Sequence, residues 1–277
     1  MMRTALKITI ILLSILTGTK DLNAQDFQGK AYYFKKTSLE LGSWGARMSE
    51  QQKKQIAERL KNRLEKTYVL TFNKEASTYK EIEQLDAISG ATDSWGKNFS
   101  PGLIYKNIKT NQLVQNQEFY GKQFLVKDSL QEIKWTMTGD TKKVGNYMCF
   151  KATAQIPSSD LEWWSFSWNS ITSSNNNEDT ENDNEETSFS EVIAWYTPQI
   201  PVGHGPLEYY GLPGLILEVS AGNTVMLCSK LIINPEDKDQ IEAPDKGKEV
   251  TKEEYKTTVI AKMKEFRENR MGRRPRG

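Results

Sequence analysis

The chain is poor in the residues that most metal and redox chemistry requires. Among its 277 residues there is one histidine, His204, and there are two cysteines, Cys149 and Cys228. Zinc, copper, haem and iron–sulfur sites draw chiefly on these side chains, so the sequence points to no metal site and no cofactor. A one-sided charge is also missing, because 37 basic side chains face 36 acidic ones. That balance argues against a nucleic-acid partner, which would select a basic excess. Past the N-terminal segment no apolar run reaches the length of a membrane-spanning helix.

What is present begins with a leader. Arg3 and Lys7 precede the apolar run Ile8–Leu16, and small or polar residues lead to Leu22-Asn23-Ala24. This is the pattern of a secretory signal cleaved after Ala24. The expected mature product, 25–277, is exported, soluble, and periplasmic or secreted. At that length the chain can bury a full core without disulfides.

The mature sequence reads as strand, helix, many strands, helix. An aromatic strand is expected over 29–38. A helix over about 49–66 follows, with Ser49 and Gln52 as a capping box and Ile56, Leu60 and Leu64 as its apolar stripe. Tyr68, Leu70 and Phe72 share one face of the next strand. Residues 86–102 read as a loop. Short strands are expected at 103–107, 111–116, 123–127, 132–138 and 146–155. Ile133, Trp135 and Met137 alternate with polar residues, and Thr138-Gly139-Asp140-Thr141 reads as a turn. Strands at 191–197, 215–220 and 224–232 lead to a C-terminal helix near 252–270. Its capping box is Thr251 with Glu254, and its stripe is Tyr255, Val259, Met263 and Phe266. The fold class is α+β, mainly antiparallel β: one domain built on a curved sheet, as an open barrel or sandwich, with two flanking amphipathic helices.

Two segments interrupt this order. Trp163, Trp164 and Trp168 precede NNNEDTENDNEE (175–186), an acidic insertion near 174–188 expected to be disordered. Residues 198–214 carry four of the nine prolines, with Gly203, Gly205, Gly211 and Gly214. Proline stiffens this excursion. Gly211 suits a tight turn, and Gly214 suits either a positive φ or a close approach of another chain.

The second segment, with Gly211-Leu212-Pro213-Gly214-Leu215-Ile216 at its end, resembles the GLPGLI family of Bacteroidetes envelope proteins. The strand Tyr68–Phe72 with Ser77 and Tyr79, the stretch 145–154 and the stretch 194–206 look like the same family. The resemblance implies export and a β-rich fold, and it implies no reaction. The motif also resembles one in an N-terminal module attached to some glycan-releasing amidases, outside their catalytic part.

The residues leave three functional readings. The leading one is a non-enzymatic accessory or binding module, with an outer-membrane or envelope protein as partner. Its binding surface is expected in Trp195–Gly214, on Trp195, Tyr196, His204, Tyr209 and Tyr210. The second is a carrier of small apolar ligands, with the Trp163–Trp168 cluster at its mouth. The third is a hydrolase assembled in space around His204, although the histidine reads better as a surface residue. Cys149 and Cys228 stand in expected strands, as a disulfide or, by preference, as two free thiols.

Overall fold

The computed structural model describes residues 27–38, 45, 47–82, 101–164 and 188–272. The leader, the 86–100 part of the expected loop, Trp168, the acidic insertion and the extreme basic tail lie outside them.

Among the described residues twelve strands form one sheet. In chain order they are β1 (Gly29–Thr37), β2 (Glu65–Phe72), β3 (Ala76–Glu81), β4 (Ile104–Asn107), β5 (Gln112–Phe119), β6 (Lys122–Ser129), β7 (Thr136–Val144), β8 (Tyr147–Pro157), β9 (Phe189–Thr197), β10 (Leu215–Ala221), β11 (Thr224–Ile233) and β12 (Lys248–Val250). Their spatial order is β12-β6-β5-β4-β3-β2-β1-β11-β10-β9-β8-β7. All pairs are antiparallel except β12 with β6. Strands β2 to β6 are one meander and β7 to β11 a second. Strand β1 joins them by pairing with β2 on one side and β11 on the other.

The connectivity forces curvature. From β6 to β7 the sheet takes ten lateral steps, which would span about 48 Å if flat. Only Leu130–Trp135 connects the two strands, a path that reaches about 25 Å at most. The sheet therefore curls into an open half-barrel, and Leu130–Trp135 is a strap across its gap.

The concave face is the core. One lateral file runs Gln115, Ile104, Tyr79, Leu70, Ala31, and all five are fully buried. The next runs Leu113, Lys106, Ser77, Phe72, Gly29. A Cβ on Gly29 would lie 2.3 Å from the Phe72 ring, so only glycine fits there. Tyr68 stacks on Tyr79 at 4.9 Å, and Tyr33 meets Tyr79 edge-on at 6.3 Å.

Among the described residues three helices accompany the sheet: α1 (Glu50–Leu64), the single turn α2 (Ser158–Leu161) and α3 (Lys252–Gly272). Both expected capping boxes are present. Ser49 Oγ accepts from Gln52 N at 3.2 Å, and Thr251 Oγ1 accepts from Glu254 N at 3.2 Å. Helix α3 closes part of the concavity with Tyr255, Val259 and Met263, all buried, whereas Phe266 is exposed. Helix α1 packs lightly against β1 and β2, with Ile56, Leu60 and Leu64 only half-buried.

Two sequence expectations are corrected. The strand expected over 132–138 begins only at Thr136, because residues 130–135 are occupied in crossing the gap. The alternation of Ile133 and Trp135 does report one-sided burial, but against the interior rather than within a ladder. Thr138–Thr141 is no turn. It is an irregularity inside β7, with Gly139 at φ +82°, and the hairpin is made by Gly145-Asn146.

Tyr33 ties the first strand to the motif strand, donating from Oη to the Ile216 carbonyl at 2.5 Å. Removing the hydroxyl deletes this buried hydrogen bond. Tyr33→Phe should lower stability by about 1–3 kcal/mol in urea denaturation, without changing the slope of the transition.

Candidate functional site

The segment between β9 and β10 folds into the half-barrel rather than over its surface. Its backbone doubles back on itself: Gly211 N donates to Gly203 O at 3.0 Å, and His204 and Tyr210 form an isolated bridge. Leu215 N donates to Ile200 O at 2.9 Å and Ile216 N to His204 O at 3.0 Å, which stitches the loop to the start of β10. The two motif glycines serve different ends. Gly211 has φ +91° with open space around it, the conformation of a turn. Gly214 is a close approach, because a Cβ there would sit 2.2 Å from the Thr197 carbonyl oxygen.

Lys106 holds this loop from below. It is fully buried on β4, and its Nζ donates to Gly205 O at 2.7 Å and Tyr209 O at 3.0 Å. Burial pushes its pKa down to about 7, with the charge of Glu208 acting the other way. From the strap, Trp135 Nε1 donates to Tyr210 O at 2.8 Å. The loop is thus fastened by the sheet below and by the strap beside it.

His204 is not a surface residue. It is fully buried, 6.2 Å from the Phe72 ring centroid, and neither ring nitrogen has a hydrogen-bond partner. Burial, then the nearby Lys106 charge, push its pKa down to about 3; the Asn73 backbone opposes this without completing a hydrogen bond. The expected exposure failed because a proline- and glycine-rich loop need not be outside. Here its backbone groups are satisfied internally, so it can be buried.

The other expected surface residues do not converge. Trp195 is half-buried and carries Lys142 Nζ 4.3 Å from its ring centroid. Tyr196 is buried and donates from Oη to Met137 Sδ at 3.6 Å. Tyr210 is half-buried. Leu212, Gly214, Leu215 and Ile216 are buried, and Gly211 and Pro213 are exposed. Cys149 is buried and Cys228 half-buried, both as free thiols. Burial raises the pKa of each, Cys228 to about 11, which makes both poor nucleophiles.

Of the five, Tyr209 alone lines a hollow at the mouth of the sheet. It sits at the gap of the half-barrel, with a volume of about 140 Å³. Its walls are Gln131–Lys134 of the strap and Gln155–Pro157 of β8, and its floor is Leu161, Trp164 and Leu207–Tyr209. A neighbouring hollow of about 290 Å³ lies towards Asp128, Trp163, Lys252 and Lys256. Gln131 Nε2 donates to Asp160 Oδ2 at 3.3 Å between the two. The mouth is charged and fixed. Glu208 Oε1 accepts from Trp163 Nε1 at 2.5 Å, and Oε2 accepts from Lys252 Nζ at 2.6 Å. Lys252 Nζ also lies 5.4 Å from the Trp163 ring centroid.

Glu208, Lys252, Asp160 and Gln131 escaped sequence reasoning because each comes from a different segment of the chain. Lys106 left a signal: it occupies the core phase of β4, two residues after Ile104. Among the described residues, no group of three or more His, Cys, Asp or Glu side chains is placed to hold a metal, and no helix is long and apolar enough to cross a membrane.

Residues 135–218 match a family model described as a protein of unknown function (Porph_ging). That stretch runs from the end of the strap to the middle of β10, and so includes one wall and the floor of the hollow. No curated protein matches the chain. Among solved structures, PNGF-II in a C2 space group is 14% identical, with a TM-score of 0.49 over 85% of this chain and 33% of that one. PNGF-II in a P21 space group gives 15%, 0.46, 84% and 33%. The chain spans about a third of the length of these structures.

Both buried bases make stability depend on pH. The unfolded chain binds a proton at Lys106 up to pH 10.5, and the folded chain only up to about 7. Stability should therefore rise with pH between about 7 and 10, where the buried tyrosines begin to act in the opposite sense. Lys106→Met should flatten that rise in urea titrations. Between pH 6.5 and about 3, His204 should contribute a loss of stability as pH falls, absent from His204→Phe. Gly214→Ala should cost roughly 3 kcal/mol in the same assay, since backbone rather than a movable side chain is in the way.

Proposed function

We propose that the chain is an exported, non-enzymatic binding module of the cell envelope, of the GLPGLI family, acting with an outer-membrane or envelope protein. The observation that carries the reading is the mouth of the half-barrel. A recessed hollow with an apolar floor and a few fixed polar groups is the usual form of a binding site, and barrel mouths are a common place for one. Its floor is the loop that leads into the family motif. The leader and the GLPGLI run support export and family.

The buried histidine supports a non-enzymatic role. Among the described residues, no hydroxyl or carboxylate hydrogen-bonds its ring, and a base that protonates only near pH 3 is mismatched to general base work near neutrality. The filled interior weighs against an apolar-ligand carrier. The concave face is occupied by Tyr33, Tyr79, Phe72, the 198–214 loop and α3. What is left at the mouth is a hollow of about 140 Å³ and a neighbouring, more open one of about 290 Å³, at or below the low end of the roughly 300–1,000 Å³ of sites that enclose sizeable ligands.

Native mass spectrometry of the mature chain, released gently from its own envelope, should find it with a bound molecule or protein. A Glu132→Lys, Gln155→Lys double variant changes two exposed rim residues and should lose that species, with a thermal midpoint within about 2 °C of the parent. A bare mass from the parent chain, or a bound species indifferent to the double variant, would overturn the reading.

A further inference from the structure

The mouth has a property that identifies the class of ligand. The β7–β8 ladder ends at Thr136 opposite Thr153. Extended by the same register, it would place Trp135 opposite Ala154 and Ile133 opposite Ile156. Strand β8 continues to Pro157, and its pairs with β9 run on through Gln155↔Glu191, Ile156↔Ser190 and Pro157↔Phe189. On its other side the partner strand is gone. No backbone hydrogen bond joins Gln131–Lys134 to Gln155–Pro157; Trp135 N instead donates to Ile133 O, within the strap. The ladder is splayed at Ile133 and Ile156, and the 140 Å³ hollow lies where it opens.

We propose that this seam receives an extended peptide segment of a partner protein, which pairs its backbone with the open side of β8 and seats one apolar side chain in the hollow. The inference rests on the binding-module reading above. Ser158 N donates to Ser188 O on the β9 side, so the alternate residues Gln155 and Pro157 turn to the open side; the Gln155 N–H and C=O and the Pro157 C=O, about 6.6 Å apart along the strand, are a set that an extended peptide backbone matches. The hollow matches one side chain: a cavity of about 150 Å³ holds a benzene ring, so the Leu and Phe side chains are of the right size. Its apolar walls are Ile133, Ile156, Leu161, Trp164 and Leu207. The rest of the sheet's β7 side is blunted against such pairing. Strand β7 is irregular between Met137 and Thr141, with Gly139 at positive φ, and carries Asp140, Lys142 and Lys143. At the seam the pairing of β8 with β9 is regular, and Pro157, which has no N–H, marks the end of the open stretch.

The test uses fluorescein-labelled, end-capped pentapeptides of Thr and Val with a central Leu, Phe, Ala or Glu, read by anisotropy on the mature chain. Central Leu or Phe should bind, and Ala should be weaker by roughly tenfold or more, the effect of one buried apolar side chain. N-methylation of the amides next to the central residue should abolish binding, because it removes ladder donors and leaves the side chain intact. Ile156→Trp fills the hollow and should abolish binding too; Phe189→Ala, on the opposite side of β8, should leave it unchanged. Equal binding of the N-methylated peptide, or no preference among central residues, overturns the proposal. If no peptide binds but benzyl alcohol does, with loss in Ile156→Trp, the peptide inference falls and the binding site stands. If neither binds and the native envelope yields a bare chain, both fall.

Discussion

A link of only six residues, Leu130 to Trp135, joins two strands that lie ten lateral steps apart in the sheet. The curl, the filled interior and the mouth all follow from that short tether. A flat sheet would set β6 and β7 too far apart for the link to reach. A fully paired barrel would need the link to be a strand, and Trp135 is instead turned to hold the Tyr210 carbonyl. The half-barrel is the compromise, and its gap is where polar and apolar side chains from distant segments meet.

Inside the curl, the molecule accepts unfavourable electrostatics to hold one loop. An ammonium group with two carbonyl ligands and no carboxylate contact sits beside a histidine whose ring nitrogens are unpartnered. A buried cation held this way is costly unless its neighbours are fixed. In return, the loop ending at Gly211–Ile216 is held from beneath. Glu208 faces outward from that loop into the Trp163 and Lys252 clamp, so the rigidity made inside is delivered at the mouth.

Much of the fold could be read from the sequence, because it depends on local pattern. Tyr68, Leu70 and Phe72 share the buried face as their spacing requires, and both capping boxes form. The order of β1 to β11 and of the two long helices is also as the pattern implies, whereas the three-residue β12 and the single turn α2 are too short to show a period. What could not be read depends on distance. The alternation at Ile133 and Trp135 has the same period whether the residues face a partner strand or a folded-in loop. His204 lies in a segment whose composition signals a turn, and composition does not say on which side of a sheet the turn lies. The mouth joins residues near 131, 160, 208 and 252, and no local pattern links them.

The two meanders have a consequence for the order in which the molecule can assemble. Each is made of neighbours in sequence, so each can zip from its own hairpins. Strand β1 meets β2 early, but its other partner, β11, ends at Ile233, near the far end of the chain. Closing so long a loop adds only a slowly growing entropic cost, but it delays the contact on which the core depends. Until β11 arrives, Tyr33 has no Ile216 carbonyl to meet, and the concave face of the first meander has no opposite wall. The native interior is therefore a late event, completed when the last strands reach the first.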